Sequence, residues 1–245
     1  MKILYALAAG LWMQAVSAAD VCDGVAAAVA KSADVGAPAV SAACKPWPHD
    51  PRLLLSAYAF GNDEDDKTLV VALVDAATRR VVSSYQAVAA EDASVHFGGN
   101  SLRIDAAPYQ LAPGVRAFGI RFASDARGAS CPDGIWTDEL TLFVADGKAL
   151  RPVLRGVPMT RSEARKGMFC SGAGELVFDE ARLTVGVAPS TSHGYADLVL
   201  SARITRQGGD RQGRVTTERQ TLRYDGQAYR ATAQPWWLSF FPLGE

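Results

Sequence analysis

Three histidines, four cysteines and six lysines among 245 residues leave little room for several kinds of chemistry. No C-x-x-C pair is present, so neither a zinc knuckle nor a thioredoxin-like redox motif is expected. No G-x-S-x-G elbow occurs either, and a serine hydrolase of that type is not expected. A formal net charge of -1 and a pI near 6.3 argue against nucleic-acid binding driven by bulk electrostatics. After the first residues there is no apolar run long enough to span a membrane. No cofactor and no metal are expected on these grounds.

What is present is a chain able to bury a core. Hydrophobic residues make up 49% and charged residues 21%, which excludes general disorder. Residues 1–18 read as a secretory signal. Lys2 supplies the positive start, residues 3–16 are mostly apolar, and Val16-Ser17-Ala18 places small residues before a cleavage site. The mature chain is expected to begin at Ala19 or Asp20, in the periplasm or outside the cell. Export gives the even number of cysteines a structural meaning. Cys22, Cys44, Cys131 and Cys170 allow three connectivities, and loop closure favours Cys22–Cys44 with Cys131–Cys170.

The coarse pattern is mainly β. Residues 20–32 (DVCDGVAAAVAKS) predict a short helix. Residues 36–51 hold Pro38, Pro46, Pro48 and Pro51 and predict an extended or turning lead-in. Beyond them, LLLSAYAF, TLVVALV, VRAFGIRF, LTLFV, ADLVLSARI and QTLRY are short apolar runs bounded by turn residues. Asp146-Gly147 and Asp225-Gly226 carry the tight-hairpin signal. Laying residues 102–154 over 183–232 aligns these hairpins together with Pro108 and Pro189, which suggests an internal repeat of four-stranded antiparallel meanders. The expected organisation is a stapled segment over 19–51 and a β domain over 52–234, with repeats at about 52–88, 101–154 and 181–232. An apolar tail over 235–245 completes it. Meanders packed as a sandwich are the first architecture, a partial propeller the second.

The repeat places three polar loops on one rim: residues 61–67 (GNDEDDK), 124–138 and 206–214 (RQGGDRQGR). Loops on a rigid scaffold are common binding positions. The candidate binding residues are therefore Asp63 and Asp65 in the first loop, Trp136 in the second, and Arg206, Arg211 and Arg214 in the third. The acidic run lacks the alternating spacing of a calcium loop and reads more readily as a solvated tip. Charge is divided along the chain: residues 19–150 carry 17 acids and 11 bases, residues 151–245 carry 9 acids and 13 bases. His193 in PSTSHGYAD, near Ser190, Ser192 and Asp197, reads as a turn residue; His49 reads the same way. No catalytic residue is assigned.

The segments KPWPHDPRLLLSAYAF, IDAAPYQLAPGVRAFGIR and GYADLVL resemble uncharacterised secreted proteins of Gram-negative bacteria. The resemblance covers most of residues 45–232, implies a periplasmic location and supplies no activity. Together these readings predict an inhibitor- or immunity-type binding module whose partner is another envelope or secreted protein. An envelope hydrolase using His193 or the acidic loop, and a structural envelope subunit assembling through its tail, are the alternatives.

Overall fold

A computed structural model describes residues 21–62, 66–128, 130–171 and 176–240. The expected signal, residues 1–18, lies outside them, as do Asp63 and Asp65. The chain is mainly β. One helix, α1 (Val25–Ser32), precedes twelve strands: β1 (Ala39–Trp47), β2 (Asp50–Phe60), β3 (Lys67–Asp75), β4 (Val81–Ala89), β5 (Leu102–Ala112) and β6 (Val115–Phe122), then β7 (Gly134–Asp146), β8 (Ala149–Lys166), β9 (Val177–Ser192), β10 (Tyr195–Gln207), β11 (Val215–Tyr224) and β12 (Tyr229–Ala231).

All twelve strands belong to one mixed, unclosed sheet. Chain neighbours pair antiparallel within β1–β4, within β5–β8 and within β9–β12. β8 joins these runs. It pairs antiparallel with β9, and Ala149 at its start meets Ser84 of β4 in a single parallel bridge. The Asp146-Gly147 hairpin anchors that bridge, because Ser84 N donates to Lys148 O at 3.1 Å and Ser83 Oγ to Gly147 O at 2.7 Å. Gly147 there adopts φ +60, the left-handed turn position that a side chain disfavours.

The sheet folds back on itself, and period-two alternation decides which core each residue enters. Phe118, Ile120 and Phe122 of β6 and Phe143 of β7 face a core shared with Leu55, Ala57, Leu69 and Val71 of β2 and β3. Their neighbours Ala117, Leu140, Leu142 and Val144 face a second core with Val153 and Val157 of β8 and Leu198 and Leu200 of β10. β6 and β7 are therefore apolar on both faces. A third cluster forms where α1 covers the outer side of β2 and β3. Val25 and Val29, four residues apart and fully buried, pack there with Leu54, Tyr58 and Val70. Burying each valine stabilises by roughly 1.5–3 kcal/mol.

Cys22–Cys44 ties the α1 lead-in to β1, and Cys131–Cys170 ties the segment after β6 to the segment after β8. Each closes a loop whose cross-link restricts the unfolded chain by roughly 3–4 kcal/mol. Two disulfides fit an oxidising compartment. No helix among the described residues is long and apolar enough to cross a membrane.

Three boundaries differ from the sequence reading. The proline-rich lead-in contains a paired strand, β1, whose Pro46 sits opposite Leu54. β1 is the sheet's edge, where the missing proline N–H costs no ladder bond. β7 already begins at Gly134, so the second loop is shorter than 124–138 and Trp136 lies on a strand. β10 runs to Gln207, so Arg206 is also a strand residue. The tail folds back onto the core: Trp237 and Leu238 are each 1% exposed and pack into the second cluster.

Candidate functional site

The ends of β6, β7, β8, β9 and β10 meet along one edge of the molecule. Register runs from Gly134 of β7 to Glu163 of β8, Asp179 of β9 and Arg206 of β10, whose N–H donates to Arg214 O at 2.9 Å. Three strand spacings separate Gly134 from Arg206, about 15 Å. The connection between β4 and β5 carries the edge further. Glu91 accepts from the Lys67 ammonium at 2.8 Å and from Phe97 N at 2.6 Å, and the Phe97 ring lies 4.7 Å from Phe122.

Two concavities open along this edge. The first, about 120 Å³, brings together the three arginines named from the sequence, Arg206, Arg211 and Arg214, with Asp179, Glu218 and Trp236. Asp179 is 8% exposed and holds two guanidinium groups, Arg206 at 2.5 Å and Arg165 at 2.9 Å. Burial opposes its charge, but hydrogen bonds from Arg206 and Arg165 outweigh that penalty and keep its carboxyl below the usual range. Arg165 also lies over the Trp236 ring, 4.6 Å from its centre. Arg206 is thus an internal strut. Arg211 and Arg214 are exposed, and neither guanidinium forms an ion pair or hydrogen bond with the described residues.

The second concavity, about 260 Å³, lies between the segment leaving β6 (residues 122–132) and the first part of β7 (residues 134–139). Ile135 and Trp136 are 41% and 38% exposed at its side. At its floor Glu139 is 7% exposed, and its carboxyl accepts from Trp136 Nε1 at 3.0 Å. Burial raises its carboxyl to about 7, only partly opposed by the indole donor. The adjacent Asp138 has φ +68, and its carboxylate takes Arg103 at 2.5 Å and Arg121 Nε at 3.0 Å. Arg103 and Arg121 stand opposite each other in the β5–β6 register, so Asp138 neutralises two facing like charges.

Trp136 therefore does not share a cavity with the arginines, although both cavities occupy the same edge. Sequence reasoning passed over Asp179, Glu139 and Trp236. The available signals were weak: an acid among strand-forming residues in WTDEL and VFDEA, and an aromatic tail too apolar to stand free.

The far end of the molecule holds the histidine named from the sequence. His193 (φ +47) and Gly194 form the β9–β10 turn, and His193 Nδ1 contacts Tyr224 O at 2.8 Å. Ser190 donates to Asp197 at 2.7 Å. His193 thus contacts a backbone carbonyl, while Ser190 and Asp197 bond each other, so the three side chains form no relay. The arginines of β8 are committed too. Arg151 binds Tyr224 and Gln227 O, Arg155 lies over Tyr85, and Arg161 binds Ser239. Among the described residues no group of three or more His, Cys, Asp or Glu is placed to hold a metal ion.

No family model, curated protein or solved structure matches this chain.

Proposed function

We propose that this protein is an exported binding module of the bacterial envelope, an inhibitor- or immunity-type protein that grips an acidic partner protein along its loop edge. One observation carries the reading: Arg211 and Arg214 stand exposed without acidic partners among the described residues, above an internal Arg206–Asp179–Arg165 lattice that fixes their loop at both ends. Arg214 O is held by Arg206 N, and Arg206 O receives Gly213 N at 2.9 Å, so the loop is tied to the sheet. Guanidinium groups presented from such a base suit carboxylates of a partner surface. Two disulfides support the exported location, with cleavage of the signal near Ala18. The scaffold reading extends to an internal repeat, supported by the equivalent places of Asp146-Gly147 in β5–β8 and Asp225-Gly226 in β9–β12.

The test is affinity capture from an envelope extract with the wild-type chain and the Arg211→Glu/Arg214→Glu variant, under increasing salt. Acidic proteins held by the wild type should be lost from the variant and released by salt. An unchanged set of captured proteins overturns the reading. Amino-terminal sequencing of the exported chain should begin at Ala19 or Asp20.

A further inference from the structure

β9, β10 and β11 send alternate side chains into the second core, Leu183, Leu200 and Leu222 among them, so the residues between these face outward. Register decides which outward residues stand side by side. Arg203 of β10 lies opposite Arg182 of β9 and Thr217 of β11, and Ser201 lies opposite Thr184 and Arg219. Further along β11, Arg223 lies opposite Arg230 of β12. Five arginines share this outer face, and all are exposed.

Like charges placed directly opposite each other destabilise a sheet unless something compensates them. Compensation here is partial. Glu180 holds Arg182 at 2.7 Å, and Asp225 holds Arg230 at 3.2 Å. Arg203, Arg219 and Arg223, between those two pairs, form no ion pair with the described residues; the Arg203 guanidinium reaches Thr205 Oγ1 at 3.3 Å. The other nearby acids do not reach them. Glu218 alternates to the opposite face and takes Trp237 Nε1, Asp179 is held by Arg165 and Arg206, and Asp210 lies in the β10–β11 loop beside Arg211.

The uncompensated charges form a line. Arg203 stands level with Thr217, and from Thr217 to Arg223 is six residues of one strand, about 20 Å. Between the arginines the face carries the hydroxyls of Thr184, Ser201, Thr217 and Thr221, whose side chains make no hydrogen bond with the described residues. No aromatic residue faces outward there, and Val199 and Val215 stand at opposite ends. The face therefore lacks the clustered aromatic anchors of a protein interface and the apolar wedge that enters a bilayer. Guanidinium forks on a line, with hydroxyls between them, match a chain of sugars that carries an anionic group on successive repeats.

We infer that the outer face of β9–β11 binds a linear anionic glycan, whose carboxylate or phosphate groups meet Arg203, Arg219 and Arg223 in turn. This surface is separate from the loop edge and does not rest on the proposed function.

The probes are fluorescein-labelled polygalacturonate and dextran phosphate, with neutral dextran, polyglutamate and phosphatidylglycerol vesicles as controls. Anisotropy with the full chain, and co-sedimentation for the vesicles, read binding. At least one anionic glycan should bind, be released by salt, and bind about tenfold or more weakly to the Arg203→Gln/Arg219→Gln/Arg223→Gln variant. Neutral dextran should not bind. The tighter of the two glycans identifies the charged group. All three positions are exposed, so the variant should keep wild-type urea unfolding. The Arg211→Gln/Arg214→Gln variant should keep most of the glycan affinity. If that loop variant loses the glycan while the triple variant keeps it, the sheet face is wrong. Equal binding of polyglutamate, with the same dependence on the three arginines, makes the occupant an acidic polypeptide and overturns the glycan. Binding confined to vesicles, or no binding of either anionic glycan at low ionic strength, overturns the inference as well.

Discussion

Trp136 donates its indole proton to Glu139 across 3.0 Å, the one hydrogen bond that the buried carboxyl receives among the described residues. Burial raises the Glu139 carboxyl from the ordinary 4.5 to about 7. A raised carboxyl favours folding in its protonated form, so its contribution is complete below pH 4.5 and is lost as pH rises through about 7. At pH 8 the Glu139→Gln variant should be the more stable by up to about 3 kcal/mol, while at pH 4 the two should agree closely. Urea unfolding at both values checks this. The Trp136 indole resonance should also shift with a midpoint near 7 in the wild type and stay flat in the variant.

Asp179 is the carboxylate on which the basic recess depends. Asp179→Asn leaves Arg165 and Arg206 facing each other without the carboxylate that joins them, while Glu163 stays at 2.8 Å from Arg165. Both guanidinium groups retain some access to water, so the expected destabilisation is about 2 kcal/mol rather than the larger cost of a fully buried broken pair. Hydrogen exchange should quicken over residues 206–214, because the strut beneath that loop is released. A variant with wild-type unfolding and unchanged exchange there would remove Asp179 from this role.

How much of this was legible beforehand differs from residue to residue. Asp146-Gly147 and Asp225-Gly226 announce their hairpins because a left-handed glycine is a local requirement. Val25 and Val29 likewise show their helix face by spacing alone. β1 was hidden because prolines argue against a strand, and only its place at the sheet's edge removes the objection. Arg206, Arg211 and Arg214 were found as a charge cluster, but which of them is committed depends on Asp179, a residue from a neighbouring strand. Glu139 left only a weak trace. An acid that alternates with threonines in a strand (Thr137, Glu139, Thr141) reads as solvent-facing, and its burial arises from the chain segments over its end of β7.

Lys67 and Glu91 join the β2–β3 loop to the segment between β4 and β5. The lysine side chain is 1% exposed and that of Glu91 12%. Burial would raise the Glu91 carboxyl, but hydrogen bonds from Lys67 and Phe97 N reverse this and lower it. Glu91 therefore stabilises the fold above the ordinary carboxylate range and loses that contribution as pH falls through its lowered value. Glu91→Ala should cost about 3 kcal/mol at pH 7 and progressively less in acid, as read by urea titration. A pH-independent cost would show that packing, not charge, holds this corner.

The apolar tail provides the sharpest separation between a monomeric module and an assembling subunit. Trp237 is 1% exposed, donates to Glu218 at 2.6 Å, and shares the second core with Leu222, Ile204 and Met159. Its ring is among the largest fully buried side chains, so Trp237→Ala removes apolar contacts and leaves a void between β11 and the tail. The expected loss is about 3–5 kcal/mol, without change in the elution volume of the folded fraction. Trp237→Phe, which keeps most of the ring but not the donor to Glu218, should lose only about 1–2 kcal/mol. If either substitution instead turned an oligomer into a stable monomer, the tail would be an intersubunit element, and the structural-subunit reading would replace the binding module.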